Sequence, residues 1–200
     1  MKSSTAAKSE DPDIFVSGRT GYFSGYYPGY SKPNPDAARI WTWVTLKAHS
    51  RNNAGTVTLR SADPRDMPEI NFRNFAGPGG DQDLQAVYEG MQYARQSFQS
   101  VDQTAGQFTE LWPGAQVQSE EQLKAFIRRE SWGHHASCTC PIGADNDPNA
   151  VLDGNFKVRG VSGLRVVDAS AFAKIPGFYI AVSIYMISEK AADVIIADAR

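Results

Sequence analysis

The chain has 200 residues, of which 42% are hydrophobic and 21% charged, and its formal net charge is −2. This composition is typical of a globular protein with a buried core. A net charge so near zero, with lysine and arginine scattered along the chain, excludes a basic face for nucleic acid, and no run of about 18 apolar residues predicts a membrane span.

The first 37 residues are predicted to form a linker or loop without regular structure. Residues 1–13 are polar and lack the apolar core of a signal peptide, which is typical of a disordered lead-in. Residues 21–30, GYFSGYYPGY, alternate glycine with aromatic residues. Such a segment either packs its tyrosines on the body of the protein or forms a flexible aromatic lip over a ligand entrance.

The next part of the chain is predicted to form antiparallel sheet. Residues 38–50 are rich in β-branched and aromatic residues and are expected to form a strand. The turn sequence RNNAG leads from it to TVTLRS (56–61), so these two strands are predicted to pair as a hairpin. EINFRNF (69–75) is expected to add a short strand.

Two amphipathic helices are predicted after the strands. The first begins at Asp81 and presents an apolar face at helical spacing, which comprises Leu84, Val87, Tyr88, Met91, Ala94 and Phe98. The second begins at Ser119 and ends near Glu130, and Gln122 completes a capping box at its start. The buried stripe of this second helix is expected to be Leu123, Phe126 and Ile127.

The last third of the chain is predicted to contain a buried strand and a final helix. Residues 164–167 form an almost continuous apolar run, which favours a strand covered on both faces, as in a parallel sheet. From about Ile180, apolar residues recur at helical spacing and predict a C-terminal helix. Antiparallel sheet followed by this parallel-type pattern indicates two domains, one of them incomplete in this chain.

The segment SWGHHASCTCPIG (131–143) concentrates two histidines and two cysteines. If it is extended, His134, Cys138 and Cys140 share one face and could bind zinc, while His135 lies on the other. An i, i+2 cysteine pair is an awkward chelate, which disfavours a metal site. A Cys–His nucleophile pair and a set of buried cysteines with hydrogen-bonded histidines stay open. The cysteine spacing also disfavours a disulfide, so a cytoplasmic location is favoured.

The order of motifs after residue 130 resembles the C-terminal end of the glucose–methanol–choline family of flavin oxidoreductases. His135 takes the histidine position of the family pattern H-P-x-G-T-C-x-M-G, and VLDGNFKVRGVSGLRVVDAS and YMISEKAADVI follow in the family's order. Ala136, Cys138 and Ile142 stand where the family usually has proline, glycine and methionine. The stretch GTVTLRSADPRDMPEINF (55–72) also resembles that family's substrate domain.

The resemblance implies an α+β fold in three parts. Residues 1–37 would be the linker or loop, 38–140 an antiparallel-sheet substrate-binding domain with helices, and 141–200 the C-terminal strand and helix of an incomplete Rossmann-type FAD-binding domain. The family's G-x-G-x-x-G turn, which places the FAD pyrophosphate at a helix N-terminus, is not found in this sequence. The chain is therefore expected to be a fragment or to work with a separate flavin-binding chain.

The resemblance also implies an activity and a site. The expected reaction is oxidation of a small-molecule alcohol to a carbonyl compound by hydride transfer to FAD, with His135 as acid/base. Tyr179 stands eleven residues after Asp168, where the family usually has a second histidine or asparagine, and would orient the substrate. A shift of one residue around Pro176-Gly177 would put Phe178 or Ile180 at that position instead. Asp168, Ala169 and Ile180 would contact the cofactor.

The remaining polar residues of the motif are expected to have structural roles. His134 would point away from the site, and Cys138 and Cys140 would pack behind it. An alternative interpretation of the whole chain is a truncated, non-catalytic protein that binds a partner without flavin.

Overall fold

A computed structural model describes residues 1–106 and 108–200, without the side chains of 102–105. It divides into an N-terminal unit, Met1–Trp132, and a C-terminal unit, Gly133–Arg200. The described residues combine α-helices with two small antiparallel sheets, so the predicted mixture of helix and antiparallel sheet is confirmed. The predicted boundary between 140 and 141 lies inside the C-terminal unit, and the assignment of 38–140 to a substrate-binding domain stays a prediction.

The two sheets are each made of a single pair of strands. Strand β1 (Ile14–Thr20) pairs with β2 (Trp41–Lys47), with Ile14 opposite Lys47. Strand β3 (Thr56–Thr58) pairs with β4 (Glu69–Asn71). The predicted hairpin between 38–50 and 56–61 is therefore wrong, although both strands exist. A strand pattern reveals which face is buried but carries little information on the partner strand, and β1 was expected to be loop.

The prediction of a disordered polar lead-in is also wrong. Ser3 is buried, and its backbone N–H and hydroxyl each donate a hydrogen bond of 2.7 Å to the carboxylate of Asp13. Lys47 Nζ lies 3.5 Å from that carboxylate. Burial alone would raise the pKa of Asp13, but the bonds from Ser3 and the charge of Lys47 lower it. Polar composition did not distinguish a solvated tail from one that caps a buried charge.

Both predicted helices of the N-terminal unit are confirmed. Helix α1 is Gly80–Ala105 and helix α2 is Glu120–Glu130. At the start of α2, Ser119 Oγ accepts from the Gln122 N–H at 3.1 Å, and Gln122 Oε1 accepts from the Ser119 N–H at 3.0 Å. The predicted stripe of α2 is buried, and two of its residues, Phe126 and Ile127, pack with Leu84 of α1 in the core between the helices.

The C-terminal unit is built on a core of four buried residues, namely Leu152, Phe156, Ala171 and Ala191. The predicted C-terminal helix is confirmed as α3, Ala181–Asp198. The prediction of a strand at 164–167 is wrong. In this segment the structure has no strand but one isolated antiparallel β-bridge, between Lys157 and Arg165. Val166 and Val167 pack against the core instead, while Leu164 is 49% exposed.

None of these helices is suited to a membrane. Helix α1 has 26 residues and α3 has 18. Over residues 1–106 and 108–200, no helix combines this length with the apolar character that crossing a bilayer requires.

Candidate active site

The two adjacent histidines lie in a loop of the C-terminal unit, residues 133–142, called here the histidine loop. His135 has φ 61° and Cys138 has φ 66°, which is the left-handed region that side-chain-bearing residues seldom occupy. The loop is therefore not extended, and side chains do not alternate along it. The rings of His134 and His135 have centroids 4.4 Å apart, so the two side chains do not lie on opposite faces as an extended segment would place them. That His134 points away from the site stays a prediction.

Three backbone hydrogen bonds hold the histidine loop against the segment 168–171. The N–H groups of Cys138, Cys140 and Ile142 donate to the carbonyls of Ala169, Ser170 and Ala171 at 3.1, 2.9 and 3.0 Å. This segment is itself shaped by Asp168, which caps a short 3-10 helix, Ala169–Ala171. Asp168 accepts from the hydroxyl and the N–H of Ser170, and these bonds lower its pKa. These bonds anchor the second half of the histidine loop, which follows His135.

The half-buried ring of His135 faces the segment before α3. Its centroid lies 5.6 Å from that of Tyr179 in an edge-to-face contact. Burial lowers the pKa of His135, the charge of His134 lowers it further, and a hydrogen bond with the Phe178 backbone acts in the opposite direction. A pKa below the ordinary value of about 6.5 favours the neutral imidazole at pH 7, the form that can accept a proton.

The other predicted site residues lie in the two segments that contact the histidine loop, 168–171 and the residues just before α3. Tyr179 is 56% exposed. Ile180 is buried at 6% exposure and forms the N-cap of α3, where no side chain caps the helix. Asp168 is exposed and Ala169 half-buried, and Ala169 binds the histidine loop through its carbonyl. The roles of these residues stay predictions.

The contacts of His135 with the ring of His134 and with the backbone of Phe178 were not predicted from the sequence. The close approach of His134 to His135 depends on the left-handed backbone at His135, and no residue type in the loop indicates that conformation. The bond with Phe178 uses the backbone, which is independent of side-chain identity. The proximity of Phe178 to Tyr179 in the chain is the only signal that could have suggested it.

The cysteines give no sign of a metal centre. Both are free thiols and half-buried. Cys140 packs against the core of the C-terminal unit, and Cys138 Sγ lies 3.4 Å from the hydroxyl of Ser137. Across the described ranges, no group of three or more histidine, cysteine or carboxylate side chains gathers as a metal ligand set would.

The aromatic segment GYFSGYYPGY (21–30), called here the aromatic loop, belongs to the N-terminal unit. It packs largely on itself. Phe23, Tyr26 and Tyr30 contact one another edge-to-face, and Phe23 and Tyr26 also contact Trp132, with centroids 4.9–6.4 Å apart. Arg19 lies over the ring of Phe23. The rings nevertheless stay accessible, since Tyr26 is 57% exposed. The loop is therefore both packed and open to contact by other groups.

Comparison with known proteins gives a consistent set of relatives. A sequence model described as GMC oxidoreductase matches residues 51–188. The chain is 36% identical over 171 residues to the glucose methanol choline oxidoreductase atC of Aspergillus terreus, covering 85% of the chain and 27% of the relative. It is 38% identical over 152 residues to the mitochondrial choline dehydrogenase of Mus musculus, covering 76% of the chain and 24% of the relative.

A solved structure of formate oxidase from Aspergillus oryzae, in a study of FAD modification, has a similar fold. It is 31% identical, with a TM-score of 0.62, and the match covers 79% of the chain and 27% of that structure. The chain therefore spans about a quarter of the length of the relatives it matches.

Proposed function

The chain belongs to the glucose–methanol–choline (GMC) oxidoreductase family, and from this premise we propose that it is the C-terminal part of an FAD-dependent enzyme that oxidises an alcohol to a carbonyl compound. FAD, when bound, would supply the acceptor for the hydride that leaves the alcohol carbon. One relative is a choline dehydrogenase, an enzyme named for an alcohol substrate. The free thiols fit the cytoplasmic location proposed here.

The observation that carries this proposal is the environment of His135. Its imidazole contacts Tyr179 and has a pKa below the ordinary value. A neutral imidazole accepts the proton of the alcohol hydroxyl while the hydride leaves the adjacent carbon. Removing this proton makes hydride loss easier because negative charge builds up on the oxygen.

Tyr179 would orient the substrate beside this base. A phenol is a hydrogen-bond donor and a poor base at neutral pH, because its reference pKa is about 10. The edge-to-face contact with His135 brings the two rings together, so one group could accept the hydroxyl proton while the other donates to the same oxygen. In this proposal Tyr179 takes the place of the histidine or asparagine that the family usually has at this position.

The residues of the C-terminal unit fit one end of FAD. Helix α3 begins at Ala181 without a side-chain cap at Ile180, so its first backbone N–H groups are suited to an oxygen acceptor on the cofactor. The capped turn at Asp168 and Ala169 adds a second fixed segment. Ile180 is buried and would contribute through its backbone. The adenosine end would depend on the G-x-G-x-x-G turn of another part of the protein.

Exposed apolar side chains in both units support the presence of a flavin-binding region outside this chain segment. Large apolar side chains on and next to β3 and β4 are 52–86% exposed: Val57, Leu59, Met67, Ile70 and Phe72. At the start of α3, Val182, Tyr185 and Met186 are 69–72% exposed. Apolar residues grouped in this way usually mark an interaction surface. We propose that a flavin-binding region, on the same or a separate chain, covers them and completes a Rossmann-type domain with α3.

The test is flavin reduction in the protein assembled with its flavin-binding part. His135→Asn should slow reduction by about 10²- to 10⁴-fold, the usual contribution of a general base; asparagine tolerates the left-handed backbone. Tyr179→Phe should cost about 2- to 10-fold, the loss of one hydrogen bond. The matched control is His49→Asn, because His49 has φ 51° and lies in the N-terminal unit.

The assay should compare choline, other alcohols and formate as candidate substrates. A loss of less than about threefold in His135→Asn would contradict the role of His135. Reduction by formate and by no alcohol would contradict the proposed substrate class.

A further inference from the structure

His134 and His135 form a pair of unequal imidazoles. Their centroids are 4.4 Å apart, with the ring planes inclined at 58°. His134 is exposed, whereas His135 is half-buried and bonded to the backbone of Phe178. The left-handed φ of His135 produces this approach, because neighbouring residues of an extended chain point to opposite sides.

Two imidazolium rings at this distance repel each other, so the pair binds its second proton less readily than its first. The titratable groups recorded against the ring of His135 are His134 on its own loop and Tyr179 from the segment before α3. Burial disfavours the charged form of His135, and the charge of His134 disfavours it further.

We propose that His134 is a positioning residue whose ring, 4.4 Å from that of His135, makes protonation of His135 less favourable and so keeps His135 ready to accept the substrate's hydroxyl proton. This inference rests on the proposed function, in which His135 is the base. In the step concerned, the O–H bond of the alcohol breaks, and the proton forms a bond with an imidazole nitrogen of His135. The hydride leaves separately, to the cofactor.

The test measures the titration of each histidine in the assembled protein. Deuterium exchange at the C2 position of the imidazoles, followed across pH by mass spectrometry, reports the protonation of individual rings. In His134→Gln, His135 should titrate at higher pH than in the parent protein. In His134→Lys, a cation at the same position should bring the titration of His135 back towards the parent value. His49→Asn should leave it unchanged.

The same variants should move the acid limb of the pH–rate profile for flavin reduction. The acid limb should shift to higher pH in His134→Gln, and in His134→Lys it should lie close to that of the parent protein. An unchanged His135 titration in His134→Gln, or failure of lysine to reverse the shift, overturns the inference. The exchange measurement does not depend on turnover. If the histidines are coupled but His135→Asn retains full activity, the proposed function fails and the coupling stands.

Discussion

At the scale of single residues, the left-handed position at Cys138 explains a feature of the family pattern. The family usually has glycine there, and glycine adopts such a backbone without steric cost. In this chain a cysteine has φ 66° and is held by the bond from its N–H to Ala169. The hydrogen-bonded loop thus retains a conformation that the side chain disfavours.

Stability should therefore follow the order glycine, cysteine, valine at position 138. Cys138→Gly should equal or exceed the parent in free energy of unfolding, because it removes a left-handed penalty of about 1–2 kcal/mol and adds only the entropy cost of glycine. Cys138→Val should lose about 1–3 kcal/mol, because a β-branched residue is most strained there. Thermal or denaturant unfolding measures the order. Equal losses in both variants would show that the thiol matters more than the backbone.

The lowered pKa of His135 predicts the pH dependence of the reaction. The neutral imidazole is the active form, so the rate of flavin reduction should be constant at high pH and fall about tenfold per pH unit below the pKa. The midpoint should lie below about 6.5, the ordinary value for histidine, since burial and His134 lower it. Stopped-flow flavin reduction between about pH 5 and 8 measures the profile. A midpoint above about 7 would contradict the assignment.

At the scale of elements, a glycine determines how closely helix α1 approaches the β1–β2 sheet. A Cβ added at Gly90 would lie 2.5 Å from Cγ2 of Thr45 and 3.0 Å from Cγ2 of Ile14. Glycine is a poor helix former, so its presence inside α1 costs about 0.8–1.0 kcal/mol relative to alanine. Close packing against the two strands accounts for its presence there.

Gly90→Ala should therefore destabilise the N-terminal unit although it favours the helix. Overpacking typically costs about 1–3 kcal/mol, so a net loss of up to about 2 kcal/mol should remain after the helix gain. Gly154→Ala is the control, because no atom lies within 4 Å of its added Cβ. Denaturant unfolding should also show partial recovery when Thr45→Ser removes the clashing methyl group. A stabilised Gly90→Ala variant would disprove the close approach.

At the scale of the whole molecule, the chain corresponds to about a quarter of its relatives. Exposed apolar residues occur in both units, for example Leu59 at 86% and Tyr185 at 72% exposure. Burial of such residues is the main favourable contribution to association. We therefore expect the properties of the isolated chain to differ from those of an assembled flavoprotein.

The 200-residue chain alone should not retain FAD. It lacks a G-x-G-x-x-G turn for the pyrophosphate, and its exposed apolar residues should promote self-association. The purified chain should be colourless, inactive on alcohols and associated by light scattering. Addition of the flavin-binding part should restore flavin absorbance and a defined size. A monomeric chain with one tightly bound FAD would contradict this prediction.

Features that depend on neighbouring residues could be predicted from the order of residues alone. The capping box of Ser119 and Gln122 and the stripe of α2 involve residues within one or two helical turns, so the printed order is sufficient to locate them. The histidine motif and the order of the segments after it were likewise sufficient to identify the family. These features are local, and each can be recognised without knowledge of the rest of the fold.

The partner of β2, the burial of Ser3 and the approach of His134 to His135 could be found only from the folded structure. Strand pairing joins segments whose separation in the chain is set by the fold, and the side-chain pattern of β2 is compatible with either neighbour. Ser3 is buried where its N–H and hydroxyl donate hydrogen bonds to the carboxylate of Asp13, ten residues further along the chain. The two rings meet because the backbone is left-handed at His135, a conformation that the residue types in the loop do not favour.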